Sequence, residues 1–322
     1  MTTSAPALTL PRPRPTGSLR PVLRLHRTAL WVWAGYVLLV GGALLWLGGP
    51  GAAAARRDEP RCVGGDMCEV FSGPRTHYEQ LTAAAGTLLT VTPFLVAAYA
   101  GALLIGRELE RGTAALLWTQ SVSPPRWLAT TLAAPAALII ATLTPLALLN
   151  RAAWGASDDF LGTAWYADEA FVPTGLLPVA YALLGLAFGA FAGLFTRSTV
   201  KSPALAVAAL FAVSTLLGRY RVSLWPTVTT TGTGALRPPA DAQVLVHGTV
   251  LRTGERVTNN NACVGDQGAD LRRCTAQFRD FWVTYHPSSH YWPLQLAEST
   301  VVLTITAATV AATFWLLRRR TA

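Results

Sequence analysis

Four groups of residues in this sequence have types and spacings that bear on chemistry. The first is Arg107, Glu108, Glu110 and Arg111 followed by Gly112-Thr113, a charged turn wedged between two long apolar runs. Two carboxylates so placed need a basic surface or helix amino termini to face. The second is four cysteines, Cys62, Cys68, Cys263 and Cys274. Their even number favours disulfides, and the spacings C-x5-C and C-x10-C suit structural zinc poorly. Four cysteines allow three pairings, and Cys263 with Cys274 is the pair expected first. The third is His286 and His290, spaced as metal ligands on a helix would be. Pro287 lies between them, and the aromatics around them (Phe281, Trp282, Tyr285, Tyr291, Trp292) favour a belt at headgroup level over a metal site. The fourth is Glu298, the one carboxylate that enters an apolar run. Its place near the end of that run suggests snorkelling or helix capping, with substrate contact as the rival reading.

Much chemistry is missing. The chain has no G-x-x-x-x-G-K-[ST] loop, no strand–glycine–helix dinucleotide signature, no H-E-x-x-H, no G-x-S-x-G and no paired intramembrane acids. Nothing marks an enzyme, no cofactor is expected, and any ATP used must be handled by another polypeptide.

These groups are positioned by a membrane scaffold. Hydrophobic residues make up 52% of the chain and charged ones 13%, a balance that favours lipid over a soluble domain. A helix needs about 20 apolar residues to cross the bilayer, and six runs qualify, at 28–47, 81–105, 127–149, 172–195, 203–217 and 294–317. The expected fold is therefore an all-α polytopic membrane protein, six transmembrane helices with a large extracytoplasmic loop domain between helices five and six. Its segments are a cytoplasmic tail and amphipathic helix at 1–27, spans one to five at 28–217 with a cytoplasmic loop at 106–126, a loop domain at 218–293, and the sixth span with a basic tail at 294–322.

The net charge of +9 invites a nucleic-acid reading, but the charges sort by side of the membrane. Segments placed inside carry thirteen basic residues against Glu108 and Glu110 alone (+11), and the remaining thirteen basic and fifteen acidic residues fall outside (−2). That is the asymmetry of a multi-pass plasma-membrane protein with both termini cytoplasmic. The basic excess reads as orientation and contact with anionic headgroups; no nucleic acid is expected. All four cysteines then fall on the oxidising side.

Residues 1–17 have a Pro-, Ser- and Thr-rich composition without apolar period, that of a disordered tail. Residues 18–27 place Arg20, Arg24 and Arg27 on one helical face, as a short interfacial helix or a plain basic flank would. A signal peptide ending at Ala52–Ala55 is disfavoured, because leader and apolar run are both longer than usual. Pro93, Pro135, Pro145 and Pro178 fall in spans whose threonines can satisfy freed carbonyls. Gly185, Gly189 and Gly193 form a small-residue stripe on span four, read as packing within the chain before a dimer seam. Alternation at Val244, Val246, Val250 and Leu251 suggests a few strands.

The order R-E-x-E-x-G-T (107–113), then L-L-W-T-Q-S-V-S and R-W-L, resembles the loop between the second and third spans of six-helix type-2 ATP-binding-cassette exporter permeases, especially their actinobacterial branch. RLHRTAL (24–30) and YHPSSHYWPLQLAES (285–299) are similar to the start of the first span and the return to the membrane in the same family. The resemblance implies a permease subunit that moves an amphipathic, lipid- or drug-like substrate. Its partners would be a separate ABC ATPase and a second copy or homologous permease subunit. Arg107, Glu108, Glu110, Gly112 and Thr113 would be the residues coupling it to the ATPase. Pro124-Pro125 stands where many relatives have polar or basic residues. The alternative from another class is a polytopic sensor or scaffold that binds a ligand through its outer domain.

Overall fold

In the computed structural model, residues 27–58, 62–63, 67–68, 73–112, 123–233, 236–258, 263 and 268–321 are described. Among these residues six helical rods are long and apolar enough to cross a membrane: α1 (Arg27–Arg57), α2 (Pro74–Glu110), α3 (Pro124–Gly155), α4 (Leu177–Thr196), α5 (Lys201–Ser223) and α6 (Ser288–Thr321). Five extend beyond the apolar runs at one or both ends, because helical hydrogen bonding does not depend on apolar side chains and continues past them. At α2 this carries Arg107–Glu110 into the helix itself. Span four instead starts later than expected: residues 172–176 form turns after a short helix, Asp168–Phe171.

Local chemistry sets the ends. Pro74 and Pro124 stand in the first helical turn after extended Gly73 and Ser123, where the missing N–H costs nothing. Arg197 closes α4 in the left-handed region at φ 49°, with its N–H on the Gly193 carbonyl. Two π-turns, Leu47–Gly51 and Ala100–Gly106, interrupt α1 and α2. The threonine hydroxyls of the spans fold back onto carbonyls four residues earlier, as Thr92 does on Leu88, Thr131 on Trp127 and Thr142 on Leu138. They bury their own hydrogen there, rather than reaching the carbonyls freed one turn before each proline.

The most apolar stretch of α4 is 78% buried, against 17% for α5 and for α6, so α4 is the axis of the bundle. Its glycine stripe faces α2. A Cβ on Gly185 would lie 2.5 Å from the Pro93 carbonyl, and one on Gly189 would lie 2.6 Å from the Ala100 Cβ. The stripe therefore brings two backbones of one chain together. The first span turns Trp31, Val32, Leu38 and Leu39 outward, as a lipid-facing helix does.

Between α5 and α6 the chain forms a four-stranded antiparallel sheet in the order β3-β6-β4-β5, with β3 (Val228–Gly232), β4 (Gln243–Leu251), β5 (Arg256–Thr258) and β6 (Phe278–His286). Val244, Val246, Val250 and Leu251 all lie in β4. The aromatic run at 280–286, expected as a headgroup belt, is a β-strand. It is the inner strand β6, paired with β3 and β4, in which the consecutive Trp282 and Val283, on opposite faces of the sheet, are both buried. A short ladder, β1 (Cys62–Val63) with β2 (Met67–Cys68), sets Cys62 opposite Cys68 in the backbone register. Cys263 and Cys274 form a disulfide at one end of the helix Gly268–Thr275. The sheet is fastened to the bundle by Trp165 Nε1, which donates to the Asp241 carbonyl at 2.6 Å, and by His286 Nε2 on the Val222 carbonyl at 3.0 Å.

Candidate functional site

The charged end of α2 is built by one helical turn and a glycine. Arg111 closes the turn through its N–H on the Arg107 carbonyl, and Gly112 bonds back to Leu109 at φ 71°, a conformation that a Cβ disfavours. Glu108 and Glu110 leave this turn in different directions. Glu108 Oε2 accepts the indole N–H of Trp127, at the start of α3, at 3.2 Å. Glu110 Oε2 accepts the backbone N–H of Thr199 at 2.8 Å and the Thr199 hydroxyl as well. Both carboxylates thus have partners inside the chain, one on α3 and one two residues before α5. A shallow surface depression of about 440 Å³ is lined by Leu103, Arg107, Glu110, Arg111 and Thr199. Arg107 and Glu110 share that concavity, while Glu108 is turned toward Trp127. Thr113 and the rest of the loop to 122, like residues 18–26 of the amphipathic leading segment, lie outside the described residues.

Neighbouring groups brace the same end. Arg320, in the last turn of α6, donates to the Leu194 and Phe195 carbonyls, a cation on the carboxyl end of α4. The Thr196 and Ser202 hydroxyls meet at 2.8 Å across the α4–α5 turn. Motion of 107–112 would therefore reach α3 through Trp127 and the α4–α5 turn through Thr199. Sequence reading found the carboxylates and not these receivers, since 89 residues separate Glu110 from Thr199.

The opposite, sheet-bearing end holds a second constellation. Glu298 does not snorkel: its side chain is fully buried, the reverse of the expectation for a carboxylate near a helix end. One oxygen accepts the Tyr181 hydroxyl at 2.7 Å and the other accepts Arg221 Nε at 2.7 Å. Arg221 also donates to Asp168, and its guanidinium lies over the Phe171 ring at 4.4 Å. A charged side chain survives at such depth because its partners satisfy it. Tyr181, Arg221 and Asp168 went unnoticed in the sequence. The only signal was an arginine closing the fifth run and an aspartate preceding the fourth.

The two histidines do meet, with Nδ1 atoms 2.9 Å apart. Since a carbonyl only accepts, His286 uses its Nε2–H on Val222, and one shared hydrogen joins the two Nδ1 atoms. Among the described residues no group of three or more His, Cys, Asp or Glu could hold a metal ion.

Comparison with known proteins places these sites in context. A family model described as "ABC-2 membrane transporter related" matches residues 34–221, more than half of the chain. The match takes in Arg107–Gly112, Asp168, Tyr181 and Arg221, and it ends before the sheet and Glu298. No curated protein and no solved structure matches.

Proposed function

We propose, from the premise that this chain belongs to the ABC-2 membrane transporter related family, that it is the permease subunit of an ATP-binding-cassette exporter. In this reading ATP is hydrolysed by a separate ATPase subunit, a second copy or a homologous permease completes the pathway, and an amphipathic, lipid- or drug-like substrate is moved. The end carrying Arg107–Gly112 faces the cytoplasm of a plasma-membrane protein, both termini with it. The sheet lies outside. The sorting of charge, +11 against −2, supports that orientation.

The observation that carries the reading is the linkage at the charged end. An ATPase pressing on the 106–128 loop and on the depression beside Glu110 would move the end of α2. Glu110 would pass that motion to Thr199, and Glu108 would pass it to Trp127. The close glycine contact makes α2 and α4 a single body, so displacement at the charged end becomes a rocking of spans rather than a local deformation.

The test is to co-express the chain with a stand-alone ATPase encoded beside it and purify through a tag on this chain. The expected result is a retained ATPase whose ATP hydrolysis depends on residues 106–128. A chain that purifies alone, with no effect on ATP hydrolysis when recombined with that ATPase, overturns the proposal.

A further inference from the structure

We infer that Arg221 is a two-position latch that holds the sheet-bearing end of the bundle shut and lets go during the transport cycle. In the present state it ties four separate elements together. Arg221 closes α5, Glu298 belongs to α6, Tyr181 to α4, and Asp168 to the helix Asp168–Phe171 that precedes α4. That helix and the turns after it are themselves clamped. The Phe171 carbonyl accepts Gln295 Nε2 at 2.6 Å, and the Pro173 carbonyl accepts Asn150 Nδ2 at 3.0 Å. The next residue to Arg221, Val222, is pinned by His286 of the sheet. A shift of Arg221 is therefore mechanically a shift of the sheet against α6.

Three observations favour a latch over a permanent brace. First, the two carboxylates that share Arg221 differ in environment: the Asp168 side chain is 78% exposed and the Glu298 side chain 0%. The guanidinium can leave Glu298 and stay paired and hydrated on Asp168, so release does not strand it, while Glu298 keeps the Tyr181 hydroxyl. Second, the face of α6 beside Glu298 is incompletely satisfied in the closed arrangement. Gln295 Oε1 and Ser299 Oγ are buried without a protein hydrogen-bond partner among the described residues, so this face of α6 is polar and could take up solvent when the end opens. Third, a static brace would not need ions, since well-packed apolar residues hold buried helices equally well. The force for opening comes from the permease reading above; the latch itself is argued from the cluster alone.

The test is labelling of Ser299→Cys, one residue from Glu298 and buried, by a membrane-impermeant maleimide applied from outside to cells expressing the chain with its ATPase. The single change should be protected without ATP turnover and labelled during it. Adding Glu298→Gln should raise the rate without turnover about a hundredfold, the scale of removing one partner of a buried pair. Arg221→Met with Glu298→Leu, apolar and without a wet alternative, should protect the thiol in every condition. If Glu298→Gln leaves the thiol protected, the latch is wrong. Should Glu298→Gln open the site while the otherwise unchanged protein ignores ATP, the closing role of the pair stands, and its release during a transport cycle falls together with the permease reading. Where Glu298→Gln fails to fold, Arg221→Lys decides, because it keeps the charge and loses the fork. Faster labelling of a folded Arg221→Lys chain supports release. A chain that unfolds there too marks a static brace and overturns the inference.

Discussion

Glu110, in the last turn of α2, accepts the backbone N–H of Thr199 at 2.8 Å, which fastens the end of the second span to the turn between the fourth and fifth. An acidic residue in this position does more than present charge outward. In the proposed permease, this bond would make the spans joined at that turn respond together when the 106–128 loop is displaced.

Reversing both carboxylates, Glu108→Lys with Glu110→Lys, should weaken ATPase association about a hundredfold by placing like charge at an interface. Membrane insertion should be unchanged. Trp127→Phe removes the indole N–H bound by Glu108 and leaves both acidic charges in place. It should retain the ATPase and lower the hydrolysis that depends on it. Pull-down and ATP hydrolysis of the two variants side by side would separate docking from transmission; full association in the charge-reversed pair would remove the docking role.

Gly112 adopts φ 71° with nothing among the described residues within 4 Å of where a Cβ would project, so substitution there meets backbone strain first. Gly112→Ala should cost about 1 kcal/mol and Gly112→Asn less, because asparagine tolerates the left-handed region. Gly112→Val, β-branched, should be the worst of the three for coupled ATP hydrolysis. Equal activity in all three would show that the turn is not held in this conformation.

Along the apolar spans, the Gly189 Cβ position lies 2.6 Å from Ala100 Cβ and 2.7 Å from the Ala97 carbonyl, whereas nothing among the described residues lies within 4 Å of a Cβ on Gly42. Gly189→Val should lower stability in detergent by about 3 kcal/mol or more, since rigid backbone must part. Gly42→Ala should be neutral or slightly stabilising. Thermal unfolding of both against the parent chain checks this, and an unchanged midpoint for Gly189→Val would contradict the close approach of α2 and α4.

The Cys263–Cys274 disulfide closes a loop with a sequence separation of 11. Its loss through Cys263→Ser should reduce the stability of the sheet region by about 3 kcal/mol, seen as faster protease nicking between β5 and β6 with the spans intact. Mass mapping without reductant should find the 263–274 bridge. Two free thiols there would contradict the structure.

Orientation can be read by single-cysteine labelling in intact cells. Thr253→Cys, beside the exposed turn at Gly254, should react with an impermeant reagent, and Arg111→Cys should not. The opposite pattern would invert the topology and with it the proposed ATPase contact.

Much of the architecture could be read along the chain because it depends on local quantities. Six apolar runs each depend on neighbours within a few residues, and six membrane-length helices result among the described residues. The alternation in 244–251 likewise gave a strand, and Cys263 found Cys274 within one short loop. Where the strand at 278–286 was missed, the reason was local as well. Aromatics gathered before an apolar run suit either a headgroup belt or a doubly paired strand, and only pairing with β3 and β4 makes 278–286 the latter.

The sites themselves were decided by packing. Sequence marked Glu108 and Glu110 by charge but could not see Trp127 or Thr199, and it set Glu298 at a wet helix end when its carboxylate is enclosed by residues 77 and 117 positions away. Periodicity reports which face of a helix is apolar; it does not report which other helix covers that face. That choice rests on how closely two backbones can approach, which Gly185 and Gly189 of α4 permit against α2 where a Cβ would collide. Once α4 is central, Tyr181 points to α6 and Arg221 reaches Glu298, so the ion pair is a consequence of the tertiary arrangement rather than of any motif.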